Sequence, residues 1–350
     1  MTNEINLRFQ NISHKNVGGI SPDRCTLASQ RPHVPGADVK IVAPLHISQH
    51  LKDAEARQVD GGDRAKPMSH DSPILLISVV IAVYNGKATL QQCLDSVAQQ
   101  TYARIELIVI DGGSKDGTVD LMRANAQQIS YWISEPDRGI YNAWNKALVQ
   151  AKGDWVCFLG ADDYLWDVQV LERMAEQLVL VPLNVRVAYG QIMLLDNNDE
   201  ALYAVGEQWL ALKNRFKQTM CLPHPAVMHR RSLFVDCGNF DETFRIAGDY
   251  EFLLRELKTN DAFFIEGIVM TAMRQGGVSS DPANTLQGLR EVRSAQVKNG
   301  LRSPSLGWRV ALLRAYTRLF LWRLLGEKQA RRMLDIGRHL MGLPAYWTKT

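Results

Sequence analysis

The chain has 350 residues, 46% hydrophobic and 22% charged, an ordinary globular composition that suits one large α/β domain with appendages. Its formal net charge of +3 is too small to indicate a nucleic-acid partner, but the charge is unevenly spread. Residues 301–350 hold ten Lys or Arg against two Asp or Glu, a local charge of +8 that leaves −5 on the other 300 residues. A basic end on an acidic body points to an anionic partner, and an anionic membrane surface is the first candidate. The cysteines Cys25, Cys93, Cys157, Cys221 and Cys237 form no close pair, so free thiols in a reducing compartment are expected. The opening MTNEINLRFQ lacks a cationic start followed by an apolar core, and the longest clean apolar run, Pro73 to Tyr84, is too short to span a bilayer. These features predict a cytoplasmic protein, with the inner face of the cell membrane as its candidate peripheral site.

Residues 1–72 are polar and punctuated by Gly and Pro, which predicts a poorly ordered extension with one short strand over Val39 to Leu45. At Pro73 the character changes. ILLISVVIAVY is a β-branched apolar run ended by Asn85-Gly86, which reads as a strand buried on both faces. Leu90, Cys93, Leu94 and Val97 then recur at helical spacing. ARIELIVID is a second strand closed by Gly112-Gly113, followed by a helix over Asp116 to Ala126 and a short strand YWIS. A helix over Asn142 to Gln150 leads to the strand DWVCFLG, ended by Ala161-Asp162-Asp163. Further on come a helix from Val168 to Leu180, strands over Val185 to Leu195 and Ala262 to Met273, and a helix over 285–298. Strands alternating with helices imply right-handed βαβ units and a mainly parallel sheet. Ligands bind such sheets at the carboxyl ends of strands. Here three strands end in polar or acidic clusters, at Tyr84-Asn85, Asp111 and Asp162-Asp163.

Each cluster admits a chemical and a structural reading. Two adjacent carboxylates at a buried strand end are costly unless something positive lies beside them. Oxygen ligands suit Mg2+ or Mn2+, which bind through one or two carboxylates plus substrate phosphates; an Asp at a helix start is otherwise a common cap. Asp111 precedes GGSKDGT, where glycines permit a tight turn and exposed amides favour phosphate or a polar ring edge. No G-x-G-x-x-G follows any strand, which excludes a Rossmann dinucleotide site. Asp249 in IAGDYEFLLREL falls in the first turn of an amphipathic helix, either as a cap or as a general base, with Glu251 the neighbour that could be confused with it. His224 stands between Pro223 and Pro225 on a rigid, extended backbone, as a structural histidine or as a wall of the site.

Taken in order, the segments from about Ile77 to Ser279 resemble the family 2 glycosyltransferases with the GT-A fold. ISVVIAVYNG resembles the family's opening strand, which implies that Tyr84 packs on the nucleotide base. LIVIDGGSKDGT resembles the second-strand signature, with Gly112 in place of a second acid after Asp111. SEPDRGIYNAWNKAL looks like the segment enclosing base and ribose, with Asp137, Arg138, Asn145 and Lys146 at matching places. FLGADD resembles the metal-binding D-x-D-D, with Gly160 replacing the first acid, so the resemblance implies Mg2+ or Mn2+ at Asp162 and Asp163. HPAVMHRR and GDYEFLLR look like the acceptor-side wall, with His224 and Glu251, and the catalytic-base motif, with Asp249 preceded by Gly248 rather than an acid. RQGGVSS resembles a late loop that closes over the donor in the branch building surface polysaccharides.

The resemblance implies an inverting enzyme that moves a sugar from a nucleotide diphosphate sugar to an acceptor hydroxyl on a lipid-linked or polysaccharide intermediate. The expected organisation is an extension over 1–72, a GT-A domain over 73–283 with a mainly parallel central sheet flanked by helices, and a helical, basic, aromatic tail over 284–350. LGWRVALLRAYTRLFLWRLLG carries Arg309, Arg314, Arg318 and Arg323 and so is no comfortable membrane span. It reads as a helix packed on the catalytic domain or as a membrane-surface element, and the two can coexist. A nucleotidyltransferase would need a Gly-rich phosphate loop that YNGKAT does not supply. An inactive sugar-nucleotide binder would lack Asp249 or the Asp pair, and all three acids are present.

Overall fold

The computed structural model describes residues 74–196, 198–274 and 282–340. The expected extension over 1–72 and the late loop over Gln275 to Ser280 lie outside the described residues. The first strand, β1 (Ile77–Val83), is buried at every position but one, as its unbroken apolar run requires. It pairs in parallel with β2 (Ile105–Asp111) on one side and β4 (Trp155–Gly160) on the other, and β3 (Tyr131–Ser134) extends the sheet beyond β2. The helices α1 (Lys87–Ala98), α2 (Thr118–Ala124) and α3 (Ile140–Gln150) connect these strands. α1 buries Leu90, Cys93, Leu94 and Val97, the four residues whose spacing predicts it.

The chain runs from β1 out to β2 and β3, then returns to place β4 on the opposite side of β1. Strand order therefore reverses between β1 and β4, and the carboxyl ends of β2, β1 and β4 lie side by side at that switch point. Beyond β4 the sheet becomes mixed. β8 (Val227–Arg230) runs antiparallel to both β4 and β6 (Val187–Leu195), and β6 lies parallel to β9 (Phe263–Arg274). Two short strands, β5 (Tyr164–Leu165) on β9 and β7 (Ala201–Val205) on β6, complete nine strands among the described residues. The sequence pattern shows neither β5, two residues long, nor β8, whose four residues follow a Pro-flanked histidine rather than a clean apolar run.

The remaining helices are α4 (Val170–Leu180), α5 (Trp209–Phe216), α6 (Ser232–Cys237), α7 (Gly248–Leu257), α8 (Pro282–Lys298), α9 (Leu306–Leu325) and α10 (Glu327–Leu340). α8 crosses the boundary expected at 283/284 and packs on α7. The long Arg-rich pattern from Leu306 to His339 is two helices rather than one, broken at Gly326, whose φ of +72° an L side chain rarely adopts. None of the helices in the described residues is long and apolar enough to cross a membrane.

Candidate active site

The β1–α1 and β2–α2 loops are pinned to each other. The Asn85 amide donates to Ser114 Oγ (2.7 Å), Asn85 Oδ1 accepts from the Lys115 amide (3.0 Å), and Asp116 accepts from the Lys87 amide (3.0 Å). These bonds hold Asn85 at a φ of +51°, which Asn tolerates better than most residues. Tyr84 is left exposed at the crevice edge.

Asp111 is the last residue of β2. It is fully buried, and its oxygens accept from the amides of Gly113 (3.0 Å) and Ser114 (2.9 Å) and from the hydroxyls of Ser114 and Ser134. A carboxylate holding four donors shapes its loop, and these bonds engage both oxygens of the residue that the resemblance places at the nucleotide. The outward carboxylate here is Asp137. A Cβ built on Gly112 would lie 2.6 Å from Asp137 Oδ2 and 3.3 Å from Tyr84 Cδ2. The glycine in place of the second acid thus leaves room that a carboxylate from the β3–α3 segment enters, next to the Tyr84 ring.

Arg138 and Lys146, expected at the nucleotide, are paired with carboxylates: Arg138 with Glu242, and Lys146 with Glu135 at 2.7 Å. Glu242 also accepts from Asn142 (2.9 Å) and Asn145 (3.0 Å). Asn145 above all, with Asn142 and Arg138, holds the Glu242 carboxyl below its ordinary range. Arg245 donates to the Arg138 carbonyl (2.8 Å), tying this segment to the loop that leads into α7. Sequence reading missed Glu242, since nothing local marks an acid that binds residues about a hundred positions away.

At the end of β4, Asp163 is buried and Asp162 exposed. A Cβ on Gly160 would lie 2.7 Å from Asp163 Oδ2 and 2.9 Å from Asp162 Oδ1, so both carboxylates lean over the space that this glycine leaves. Burial, then the like charge of Asp162, pushes the Asp163 carboxyl up to about 8. Two converging hard-oxygen donors with uncompensated charge fit a divalent cation. No group of three or more His, Cys, Asp or Glu gathers to hold a metal among the described residues, so a cation here would need further ligands from substrate oxygens. Arg274, at the end of β9, braces the loop. Its amide donates to Asp163 Oδ1 (3.3 Å), and its guanidinium binds the Asp162 carbonyl (2.6 Å), Gln92 (2.6 Å) and Asp199 (2.6 and 2.8 Å).

Asp249 lies half-buried in the first turn of α7. Its Oδ1 accepts from the Tyr141 hydroxyl (3.3 Å) and from the Tyr250 amide (2.8 Å). Burial pushes its carboxyl up to about 6 against the lowering effect of those bonds. Gly248 has a steric cause: a Cβ there would come within 2.7 to 2.8 Å of the Tyr141 ring, so the acid usual at this place is excluded by the close approach of α7 to α3. No side chain caps α7 locally. Instead Glu291, on α8, accepts at one oxygen from the amides of Arg245 (3.0 Å), Ile246 (2.7 Å) and Ala247 (2.9 Å). A cap that arrives from 44 positions downstream has no signature in the sequence.

The two acceptor-side candidates are both buried. Glu251 is fully buried, ion-paired with Arg255 and with Lys298 (3.2 Å), because it points from α7 toward the helix's own next turn and α8. His224 is buried in an aromatic cluster, its ring 5.1 Å from that of Trp144 at an interplanar angle of 22°. Burial, reinforced by His229, holds it far below its ordinary value and therefore neutral. Its Nε2 has no hydrogen-bond partner among the described residues. The flanking prolines form a 3-10 turn over His224–Ala226 that packs beside β4.

The family model described as Glycosyl transferase family 2 matches residues 78–233. The PGL/p-HBAD biosynthesis glycosyltransferase of Mycobacterium tuberculosis is 32% identical over 184 residues, 51% of this chain and 69% of that protein. The chain belongs to the family 2 glycosyltransferases and is a glycosyltransferase. Among solved structures, the mannosyltransferase PcManGT from Pyrobaculum calidifontis, in complex with GDP-Man and Mn2+, shares the fold (TM-score 0.53, 18% identity, 76% of this chain and 80% of that one). So does S. aureus TarS 1-349 in complex with UDP-GlcNAc (TM-score 0.52, 17% identity, 74% and 83%). In the longer TarS structure the chain spans about half the length, 47% (TM-score 0.51, 18% identity, 73% of this chain).

Proposed function

We propose that this glycosyltransferase transfers a sugar from a nucleotide diphosphate sugar to an acceptor hydroxyl with inversion at the anomeric carbon. The observation that carries the reading is Asp249, a half-buried carboxylate raised to about 6 and therefore ionised at neutral pH yet basic enough to take a proton. Tyr84, exposed and next to the Asp137 carboxylate that fills the space over Gly112, offers a nucleotide base an aromatic face with an acceptor atom beside it. Asp162 and Asp163 would hold Mg2+ or Mn2+. Such an ion, when bound, would neutralise charge developing on the leaving diphosphate. The Tyr141 hydroxyl fixes one Asp249 oxygen, leaving the other to accept the acceptor's proton as its oxygen attacks. One displacement needs no covalent glycosyl-enzyme, so no nucleophilic side chain is assigned. The UDP-GlcNAc and GDP-Man held by the two structural neighbours support the donor class, and the Mn2+ in one supports the ion.

The acceptor is proposed to be a lipid-linked or polysaccharide intermediate of surface-polysaccharide assembly, with the protein peripheral at the inner membrane face. The test incubates the protein with Mn2+ and a panel of nucleotide sugars and follows diphosphate release and the anomeric configuration of the product. Release with inversion and dependence on the ion is expected. Retention, or transfer unaffected by chelator, would overturn the mechanism.

A further inference from the structure

α9 is apolar on two opposite faces. The inner face packs on the catalytic unit: Ala315 is buried, and the Trp308 indole donates to the Leu289 carbonyl (2.8 Å). On the other side Leu306 (77% exposed), Leu313 (67%), Phe320 (64%) and Leu324 (64%) stand in the open, joined by Tyr316 (48%). At 100° per residue these five fall within an arc of about 80°. α10 adds Met333, Ile336 and Leu340, exposed at i, i+3 and i+7 spacing. Apolar side chains on a helix are ordinarily buried against a neighbour, yet Leu306, Leu313, Phe320 and Leu324 stay mostly exposed among the described residues, and only Tyr316, at the edge of the stripe, is reached from α8.

Charge says what would cover it. Arg309 lies within the arc of the stripe, Arg323 at its edge and Arg314 farther round; all three are exposed, and none forms an ion pair with a carboxylate among the described residues. The last fifty residues carry +8 on a body of −5. Two copies meeting through this face would set the same arginines against one another, which opposes self-association. Apolar side chains with arginines within and beside them fit a helix lying in the plane of an anionic bilayer, the stripe at acyl depth and the long arginine side chains reaching up to the phosphates.

The stripe also has a fixed orientation to the site. Arg290 donates to the Tyr316 hydroxyl (3.2 Å) and lines a cleft of about 520 Å3 with Arg293, Lys298, Thr243 and Phe244. That cleft adjoins the loop whose next residues, Arg245 to Ala247, are held by Glu291 ahead of Asp249. We propose that the outer face of α9, with the exposed apolar residues of α10, docks on an anionic phospholipid surface and so holds the cleft lined by Arg290, Arg293 and Phe244 at headgroup level. The docking stands on its own geometry, whereas its use in catalysis rests on the lipid-linked acceptor proposed above.

The experiment sediments the full chain with vesicles of phosphatidylcholine alone or mixed with phosphatidylglycerol. Binding to the mixed vesicles that weakens as salt rises is expected, with little binding to phosphatidylcholine. Phe320→Asp and Leu313→Asp should each weaken it at least about tenfold, and so should Arg309→Glu combined with Arg323→Glu. Leu183→Asp, at an equally exposed leucine far along the chain from the stripe, should bind as wild type does. Unchanged melting temperatures show that the variants are folded, and donor cleavage in solution reports the catalytic reading separately from docking. Wild-type binding by the stripe variants, or a full chain that never sediments with anionic vesicles, overturns the proposal. So does a wild-type dimer in sedimentation velocity that Phe320→Asp converts to monomer.

Discussion

Asp163 and Asp249 are both carboxylates pushed up by their surroundings, and the difference between them separates two chemistries on one sheet. At Asp163 burial is joined by the like charge of Asp162, and both side chains lean over the space left by Gly160. That arrangement calls for a positive ion. At Asp249 burial acts against a tyrosine hydroxyl and a backbone amide, and the like charge of Glu291 adds only the last of the contributions. Glu251, two positions on, is turned away into Arg255 and Lys298. A carboxylate with one oxygen fixed is suited to take a proton. The kind of neighbour each carboxylate has is the physical ground on which the proposal gives one to an ion and the other to a hydroxyl.

The comparison breaks most directly at Asp249. Asp249→Asn keeps the size and removes the base, and transfer should slow at least about a hundredfold in kcat while nucleotide and ion binding persist. In the wild type, kcat/KM should rise with pH through about 6, because burial raises this carboxyl and only its ionised form accepts a proton. Tyr141→Phe removes a bond that favours the ionised form and should move that limb to higher pH. A rate independent of pH between 5 and 7 would assign the base elsewhere.

Asp163→Ala should weaken Mn2+-dependent binding of a nucleoside diphosphate by about ten- to a hundredfold, measured by calorimetry with and without the ion. An unchanged dependence on Mn2+ would dissolve the contrast between the two carboxylates.

Gly248→Ala drives a methyl into the Tyr141 ring and should displace the first turn of α7. A stability loss of about 1–3 kcal/mol is expected, with kcat down about tenfold, since small misplacements of a reacting group are costly. Full activity would show that the approach of α7 to α3 is slack.

The smallest effect on rate is expected at Asp111. Its carboxylate holds four loop donors, so Asp111→Asn should lower stability by about 1–3 kcal/mol, read by denaturant titration, while nucleotide affinity falls less than in Asp137→Asn. The opposite order would put Asp111 at the nucleotide.

The sequence by itself determined the parallel half of the sheet, because β1, β2 and β4 are long apolar runs whose period and punctuation are local properties. It also placed Asp162, Asp163 and Asp249 at element ends, where caps and chemistry both concentrate. Tertiary structure alone decided which carboxylates are available. Asp111 is satisfied by Ser134 from β3, Glu251 by Lys298 from α8, and Asp137 enters the gap left by Gly112. It alone explained Gly248, through a tyrosine 107 positions earlier, and the capping of α7 by Glu291. A carboxylate's role depends on what surrounds it in space, and pairings across tens of residues leave no period or local motif in the chain.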